Sequence, residues 1–215
     1  RAVGMNRLDV MQRAGTHGAT PIEYPFVTGR EFGGDVVEVG SQVTRFKPGD
    51  RIYGAASRCY AELTRVRLGG RIHQDAAELI PEGLSYEEAA SIPTSTSMAF
   101  PMIHCDGKVR SEQNVLVMGG GSGTGVYGIQ FAKAAGARVI TTAGSDEKLE
   151  KAKALGADEV INYNEEDVTE RVRALTDGGA DMVVDHVGAD FFAKAKFFTL
   201  AVEQTRACND HARNA

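Results

Sequence analysis

The stretch Val115-Leu116-Val117-Met118 followed by Gly119-Gly120-Gly121-Ser122-Gly123-Thr124-Gly125 constrains this chain more than any other. Four apolar residues without polar alternation read as a strand buried on both faces, and Val126, Ile129 and Ala132 continue at helical spacing. Strand, glycine turn and helix make the first βα unit of a dinucleotide-binding fold. The turn needs glycines so that the backbone can take positive φ, approach a pyrophosphate without a Cβ in the way, and let the helix pack tightly on the strand. The phosphate charge then lies at the helix N-terminus, where unpaired N–H groups meet it. In strict form the G-x-G-x-x-G pattern fits Gly123, Gly125 and Gly128, the last inside the expected helix; placed at the strand end it reads Gly120, Ser122, Gly125. Taken by itself, the run also reads as a flexible glycine-rich loop.

The residues after the turn support the first reading. Gly136 closes the helix, Arg138-Val139-Ile140-Thr141-Thr142 forms a β-branched strand, and Ser145 stands at the N-cap of a helix whose first turn carries Asp146 and Glu147. Leu149, Ala152 and Leu155 form that helix's apolar stripe and Gly156 stops it. A short strand at Glu159-Val160-Ile161, a third helix with Val168, Val172 and Leu175 inward, and a buried strand at Asp181-Met182-Val183-Val184-Asp185 complete the alternation. The fold class is α/β: a parallel sheet with right-handed crossovers and its ligand at the strand C-termini.

Composition narrows the function classes. The 215 residues are 42% hydrophobic and 25% charged, which suits a globular protein rather than a disordered one. A net charge of -5 without a Lys/Arg cluster argues against nucleic acid as the main partner. Cys59, Cys105 and Cys208 are too few and too far apart for a disulfide framework or a metal knuckle, which points to the cytoplasm. No apolar stretch approaches the roughly 18 residues of a membrane span, so no membrane partner is expected. The opening Arg1-Ala2-Val3-Gly4 resembles neither a signal peptide nor an initiator region, and the chain is expected to begin mid-protein.

Residues 1–70 have another texture. Short β-like runs at Phe32 to Gly40, Val43 to Phe46 and Arg51-Ile52-Tyr53, separated by glycines and the turn Lys47-Pro48-Gly49-Asp50, predict a small all-β domain. From Pro81 to Ile103 the pattern turns helical, with Pro81-Glu82-Gly83-Leu84-Ser85 and the acidic Glu87 and Glu88 reading as a helix start, and with Pro93 and Pro101 bracketing a connecting segment. The junction is placed near Ser97, giving a domain over residues 1–97, a dinucleotide-binding domain over 98–200 and a tail over 201–215.

Several motifs in order carry a family resemblance: Gly4-Met5-Asn6-Arg7-Leu8-Asp9, Thr28-Gly29-Arg30-Glu31-Phe32-Gly33-Gly34, Phe46-Lys47-Pro48-Gly49-Asp50-Arg51, the glycine turn, Ala134-Ala135-Gly136-Ala137 and Ala154-Leu155-Gly156-Ala157. Together they resemble the medium-chain dehydrogenase/reductase superfamily over residues 1 to about 195, closest to its quinone oxidoreductase branch, with Val184-Asp185-His186-Val187-Gly188 shared by zinc-binding dehydrogenase relatives. The resemblance implies a partial GroES-like β-barrel domain, a truncated Rossmann doubly wound parallel sheet, and an active-site cleft between them. The positions matching the catalytic zinc ligands of such relatives are Asn6, Arg30 and Thr94, none of them a competent ligand, and Cys59 stands alone where a structural zinc needs four cysteines. No metal is expected. Arg30 either pairs with Glu31 or takes the place and charge of the missing ion. Asn6 and Asp9 match polar cleft residues of quinone reductases, and Tyr53 is a further candidate catalytic residue; each also reads as a structural residue, turn-capping for Asn6 and Asp9, half-buried for Tyr53.

Cofactor contacts are expected from Gly120, Ser122, Gly123, Thr124 and Gly125 in the turn and from Gly144 and Ser145 after the second strand. About 20 residues past the turn, where NAD-binding folds carry an acid for the ribose 2′-hydroxyl, the chain has Ala143-Gly144-Ser145, which predicts NADP(H). By resemblance to quinone reductases, Ser145, Lys148 and Tyr163 hold the 2′-phosphate, and His186, Val187 and Gly188 contact the cofactor at the end of the fourth strand. Asp146 and Glu147 fit this only if they point away. The expected activity is NADP(H)-dependent, zinc-independent hydride transfer between nicotinamide and a quinone, enone or aldehyde-like carbonyl. A nucleotide-binding protein without turnover and, more weakly, a zinc alcohol dehydrogenase are the alternatives. After a helix beginning at Phe191-Phe192-Ala193-Lys194, residues 201–215 are polar and patternless. The chain is therefore expected to be a fragment with weak NADPH binding at most and no turnover, whose parent is an active homodimer.

Overall fold

The computed structural model describes residues 1–16, 23–68 and 75–188. The expected helix at Phe191-Phe192-Ala193-Lys194, the tail over 201–215 and Cys208 lie outside the described residues. The chain divides into two compact units, one ending at Thr94 and one beginning at Ser95.

The first unit holds β1 (Ala2–Val3), α1 (Arg7–Arg13), β2 (Glu31–Asp35), β3 (Arg51–Ala55), β4 (Ala76–Leu79) and α2 (Tyr86–Ala90). Its strands form one antiparallel sheet in the order β1-β2-β3-β4, with Phe32 opposite Gly54 and Ile52 opposite Leu79. Phe32, Phe46, Ile52, Ala56, Cys59 and Ala77 bury one another beneath it. The expectation that residues 1–70 are all β is corrected by α1, a two-turn helix. The run Val43 to Phe46 is not a strand either; Val43 and Phe46 pack on the Phe32–Ile52 cluster from a loop, so their apolar character reflects burial rather than pairing. Ser85 starts α2 as expected: its hydroxyl accepts from Glu88 N at 3.1 Å and its own N–H donates to Glu88 Oε2 at 2.9 Å. Gly33 lets α2 lie close to β2, since a Cβ there would meet Tyr86 O at 2.6 Å.

Between the two prolines the chain does not merely connect. Pro93 opens α3 (Pro93–Phe100), and Pro101 begins a π-helical turn (Pro101–Asp106) that buries Ile103. The parallel sheet comes next: β5 (Asn114–Val117), α4 (Gly123–Ala134), β6 (Arg138–Ala143), α5 (Asp146–Ala154), β7 (Glu159–Asn162), α6 (Val168–Leu175) and β8 (Met182–Val184). All pairings are parallel and the order is β7-β6-β5-β8. Alternation along β5 divides the core. Val115 and Val117 pack with Ile129 and Ala132 of α4 and Ala152 of α5, while Leu116 and Met118 pack with Ile140, Ile161 and Val172 of α6. Helices α4 and α5 thus cover one face and α6 the other, which is double winding. Gly136 at φ +83° and Gly156 at φ +109° end α4 and α5 in the left-handed conformation the sequence reading requires. Because the chain builds outward from β5 to β7 and returns to β8 on β5's other side, the order reverses at β5/β8, and the strand ends there form the crevice of a doubly wound sheet. No helix among the described residues is long and apolar enough to cross a membrane.

Candidate functional site

At the end of β5 the backbone turns through Gly119, whose φ of +63° is the left-handed value that makes glycine necessary. The sequence pattern assigns the turn to Gly120; the structure places the positive φ one residue earlier. Gly119 N donates to Thr142 Oγ1 at 3.1 Å, a role of the Thr141-Thr142 pair in β6 that the sequence pattern does not reveal. At Gly125 a Cβ would run into Gly119 O and stand 2.8 Å from Gly120 Cα, so the start of α4 packs backbone on backbone against the strand exit. Gly128 does lie inside α4, over Val117.

Ser122 organises this turn. As N-cap of α4 its hydroxyl accepts from Gly125 N at 3.0 Å and donates to Gly119 O at 2.8 Å. Its third neighbour is His186 Nε2, 2.6 Å away at the end of β8. In this contact Nε2–H donates in one histidine tautomer and the Ser122 hydroxyl donates to Nε2 in the other. His186 Nδ1 and Asp185 Oδ2 are buried without a partner among the described residues. Burial lowers the His186 pKa, against the opposing pull of Asp185, so the ring is neutral at neutral pH. Asp185 Oδ1 accepts from Val187 N and Gly188 N at 2.9 and 2.8 Å and shapes the loop after β8. The N–H groups of Gly121, Gly123 and Thr124 have no acceptor among the described residues; three donors beside a helix N-terminus form a cradle for an anion.

The second cluster lies at the end of β6. Ser145 occupies the N-cap of α5 as the sequence predicts, but its hydroxyl makes no capping bond and has no partner among the described residues. The Ser145 carbonyl accepts from Lys148 N and Leu149 N, each at 3.1 Å. Glu147 pairs with Lys151 at 2.7 Å on the exposed face of α5, and Asp146 Oδ1 accepts from Asn162 Nδ2 at 3.4 Å. Both acids are turned to neighbours other than Lys148, whose ammonium has no ion pair among the described residues. Lys148 lies against Gly121 and Tyr163 lies against Gly144, while Asn164 Nδ2 holds the Gly144 carbonyl at 2.9 Å.

In the first unit Asn6, Thr94 and Glu31 come together. The buried Glu31 carboxylate accepts from Asn6 Nδ2 at 2.7 Å and from Thr94 N at 2.8 Å. The expected Arg30–Glu31 pair is not made among the described residues; Glu31 is satisfied by neutral N–H donors instead. An amide, a guanidinium and a hydroxyl do not form a donor set for Zn²⁺, and among the described residues no three His, Cys, Asp or Glu side chains gather as a metal site. Asp9 is buried and accepts four bonds: from Asn6 N at 2.8 Å, Tyr60 Oη at 2.9 Å, Thr28 Oγ1 at 3.0 Å and Gly29 N at 3.3 Å. Tyr60, which no sequence motif singles out, is thereby the tyrosine engaged with Asp9; Tyr53 sits half-buried in β3 opposite Gly33 and Glu78.

A doubly wound parallel sheet with a glycine turn at its switch point defines a dinucleotide-binding fold of the Rossmann class. Family profiles agree: one described as "Alcohol dehydrogenase GroES-like domain" matches residues 1–102, and one described as "Zinc-binding dehydrogenase" matches residues 123–201. A quinone oxidoreductase of Pseudomonas aeruginosa is 35% identical over 193 residues, which cover 88% of this chain and 57% of that protein. Among solved structures, the quinone oxidoreductase of Escherichia coli complexed with NADPH superposes with a TM-score of 0.81 at 30% identity, over 92% of this chain and 59% of that one. An NAD-dependent alcohol dehydrogenase superposes with a TM-score of 0.74 at 39% identity, over 92% of this chain and 64% of that one. The chain therefore belongs to the medium-chain dehydrogenase/reductase superfamily, in its quinone oxidoreductase branch. It spans less than two thirds of the length of each of these relatives.

Proposed function

We propose that the parallel-sheet unit binds NADP(H) and that the protein is a zinc-independent oxidoreductase exchanging hydride with a quinone, enone or aldehyde-like carbonyl. The observation that carries this reading is the end of β6: no carboxylate comes directly after Ala143, the Ser145 hydroxyl and Lys148 ammonium have no partner among the described residues, and Tyr163 lies against Gly144. An acid there would bond a ribose 2′-hydroxyl and repel a 2′-phosphate; a hydroxyl and an ammonium do the reverse. The similarity to an NAD-dependent alcohol dehydrogenase does not outweigh these residues, because cofactor choice is decided at this strand end.

The geometry supports the remaining roles of this reading. The N–H groups of Gly121, Gly123 and Thr124 bind the pyrophosphate, helped by the α4 dipole. Ser122, held by His186, keeps Gly125 close to Gly119 so that these donors converge. When bound, nicotinamide supplies or accepts the hydride. Asn6 is the polar side chain of the first unit assigned to the substrate oxygen, with Glu31 fixing its amide; Asp9 and Tyr53 complete the candidates, Asp9 acting through the loop it braces. Without a metal, rate acceleration rests on positioning. The parent assembly is proposed to be a homodimer.

Binding isotherms for NADPH and NADH, run beside NADPH oxidation with a panel of quinones, test this. Expected are an NADPH affinity at least about tenfold above that for NADH in this chain and oxidation with at least one quinone by the full-length protein that contains it. Equal affinities overturn the cofactor assignment. Tight NADPH binding without oxidation of any acceptor assigns the chain to nucleotide binding without turnover.

A further inference from the structure

A hydroxyl within hydrogen-bond reach of a histidine nitrogen, beside N–H groups that have no acceptor, is a combination that acyl-transfer chemistry uses. The glycine turn brings these parts together. Ser122 Oγ stands 2.6 Å from His186 Nε2, and neither residue is fully buried. The oxygen is held in place by Gly125 N at 3.0 Å. Ser122 lies where β5 gives way to α4, and the first N–H groups of that helix, those of Gly123 and Thr124, have no acceptor among the described residues. A strand-to-helix turn is also where other α/β enzymes expose a nucleophilic serine above a parallel sheet. When His186 carries its proton on Nδ1, Nε2 takes the hydroxyl proton, for which Gly119 O at 2.8 Å competes. Nδ1 has no partner among the described residues, so no neighbour there fixes the other tautomer.

We propose that Ser122 and His186 form a nucleophile–base pair that hydrolyses small activated carboxylic esters in the cofactor-free protein. The Ser122 oxygen attacks the ester carbonyl carbon while its proton passes to Nε2. The carbonyl electron pair moves onto the carbonyl oxygen, which the N–H groups of Gly123 and Thr124 hold. Breaking the C–O bond to the leaving group, which departs with the proton from Nε2, leaves Ser122 acylated. A water that gives its proton to Nε2 then attacks the acyl carbon; the carboxylic acid leaves and the hydroxyl recovers its proton. Water is the only co-reactant, and nothing is oxidised or reduced. No carboxylate is bonded to Nδ1 among the described residues, so the pair acts as a dyad and is limited to esters with good leaving groups. A dinucleotide pyrophosphate on the same donors would fill the place of the oxyanion. Ester hydrolysis itself needs no dinucleotide, and so stands apart from the NADP(H) reading.

The test uses para-nitrophenyl acetate with the full-length protein that contains this chain, freed of dinucleotide. Release of para-nitrophenolate is followed, and the acetyl group is located by peptide mass spectrometry after a rapid acid quench. Acetylation of Ser122 is expected, and the mapping uses the unmodified protein, so it stands whether or not a variant folds. Ser122→Gly removes the nucleophile but keeps a residue that serves well at an N-cap, and is expected to lower the rate at least about tenfold. His186→Gln is expected to do the same, because an amide cannot take the proton. The rate should also follow the neutral form of His186, with an inflection below 6.5 that disappears in His186→Gln. Acetyl groups found only on lysines or on the exposed Cys105 overturn the proposal, and so does a rate that Ser122→Gly leaves unchanged.

Discussion

The Ser122 hydroxyl and Nε2 of His186 stand 2.6 Å apart, although 64 residues separate them in sequence. One caps the helix after β5 and the other ends β8, so the contact closes the β5/β8 switch point where the strand order reverses. With Gly119 O and Gly125 N also bonded to Ser122, the hydroxyl joins strand exit, helix start and the neighbouring strand end. The glycine turn is thereby fixed from outside as well as by its own backbone.

Stability should fall in mild acid through His186. Its folded pKa lies below the ordinary 6.5 because burial disfavours the charged ring. A depressed histidine pKa means that the unfolded chain takes up its proton first. No penalty exists above about pH 6.5, and it grows as the pH drops from there through the folded pKa. His186→Gln, which can present an N–H near the position of Nε2, should flatten the Tm–pH curve between about pH 7 and 5 relative to the unmodified protein. Parallel curves would remove His186 as the source.

Gly125→Ala should be among the most damaging single substitutions in the second unit. Its Cβ would meet Gly119 O and Gly120 Cα, both backbone atoms that cannot yield without moving the turn. Overpacking of this kind costs about 3 kcal/mol or more. Gly128→Ala, whose Cβ would meet Val117 Cγ1 at 3.2 Å, should cost about 1 kcal/mol or less. Urea unfolding midpoints of the two variants, compared at equal slope, decide the matter.

What is legible in the sequence is local. The buried β5 run, the helix ends at Gly136 and Gly156 and the helix start that closes on Ser85 all depend on residues within a few positions, and they appear where the pattern puts them. Helix α1 escapes the pattern because seven residues between short β-like runs carry too little periodicity to be told from a turn. Val43 to Phe46 misleads for the opposite reason, an apolar run whose burial comes from packing on Phe32 and Ile52 rather than from a ladder. At the site, Ser122, Lys148 and His186 are each readable singly. Their relations are not: Ser122 meets His186 only through the double winding, and Lys148 meets Gly121 only once α5 folds back beside the turn. Tyr60 escapes notice as the partner of Asp9 because 51 residues lie between them.

Zinc should neither copurify in stoichiometric amount nor raise Tm. The positions where zinc-dependent relatives carry ligands hold Asn6, Arg30 and Thr94, and a carboxylate beside them, Glu31, is occupied by N–H donors from Asn6 and Thr94. Metal analysis after dialysis against a weak chelator should read near zero per chain. One tightly held zinc per chain would show a ligand set elsewhere in the protein.

The Asp9 carboxylate should prove to be the principal polar brace of the first unit, detectable through Tyr60. It is buried and accepts from Asn6 N, Tyr60 Oη, Thr28 Oγ1 and Gly29 N, so Asp9→Ala strands several donors and should cost at least about 3 kcal/mol. Asp9→Asn keeps the shape but turns an N–H₂ toward one set of donors, and should cost less, about 1 to 2 kcal/mol. Burial first, and then the bond to Asp9, push the Tyr60 pKa from 10.0 up to about 12. A raised folded pKa stabilises fully below the unfolded value, so this contribution is present below pH 10 and is lost as the pH rises through about 12. In Asp9→Asn the charge and the accepted bond are gone while the burial stays, so the Tyr60 titration should move down toward 10 without reaching it, and the alkaline loss of stability should flatten. Absorbance at the tyrosinate band, tracked against pH in both proteins, measures the first effect, and Tm over the same range measures the second. An Asp9→Asn variant whose slowest-titrating tyrosine still ionises near 12 would show that Asp9 does not control Tyr60.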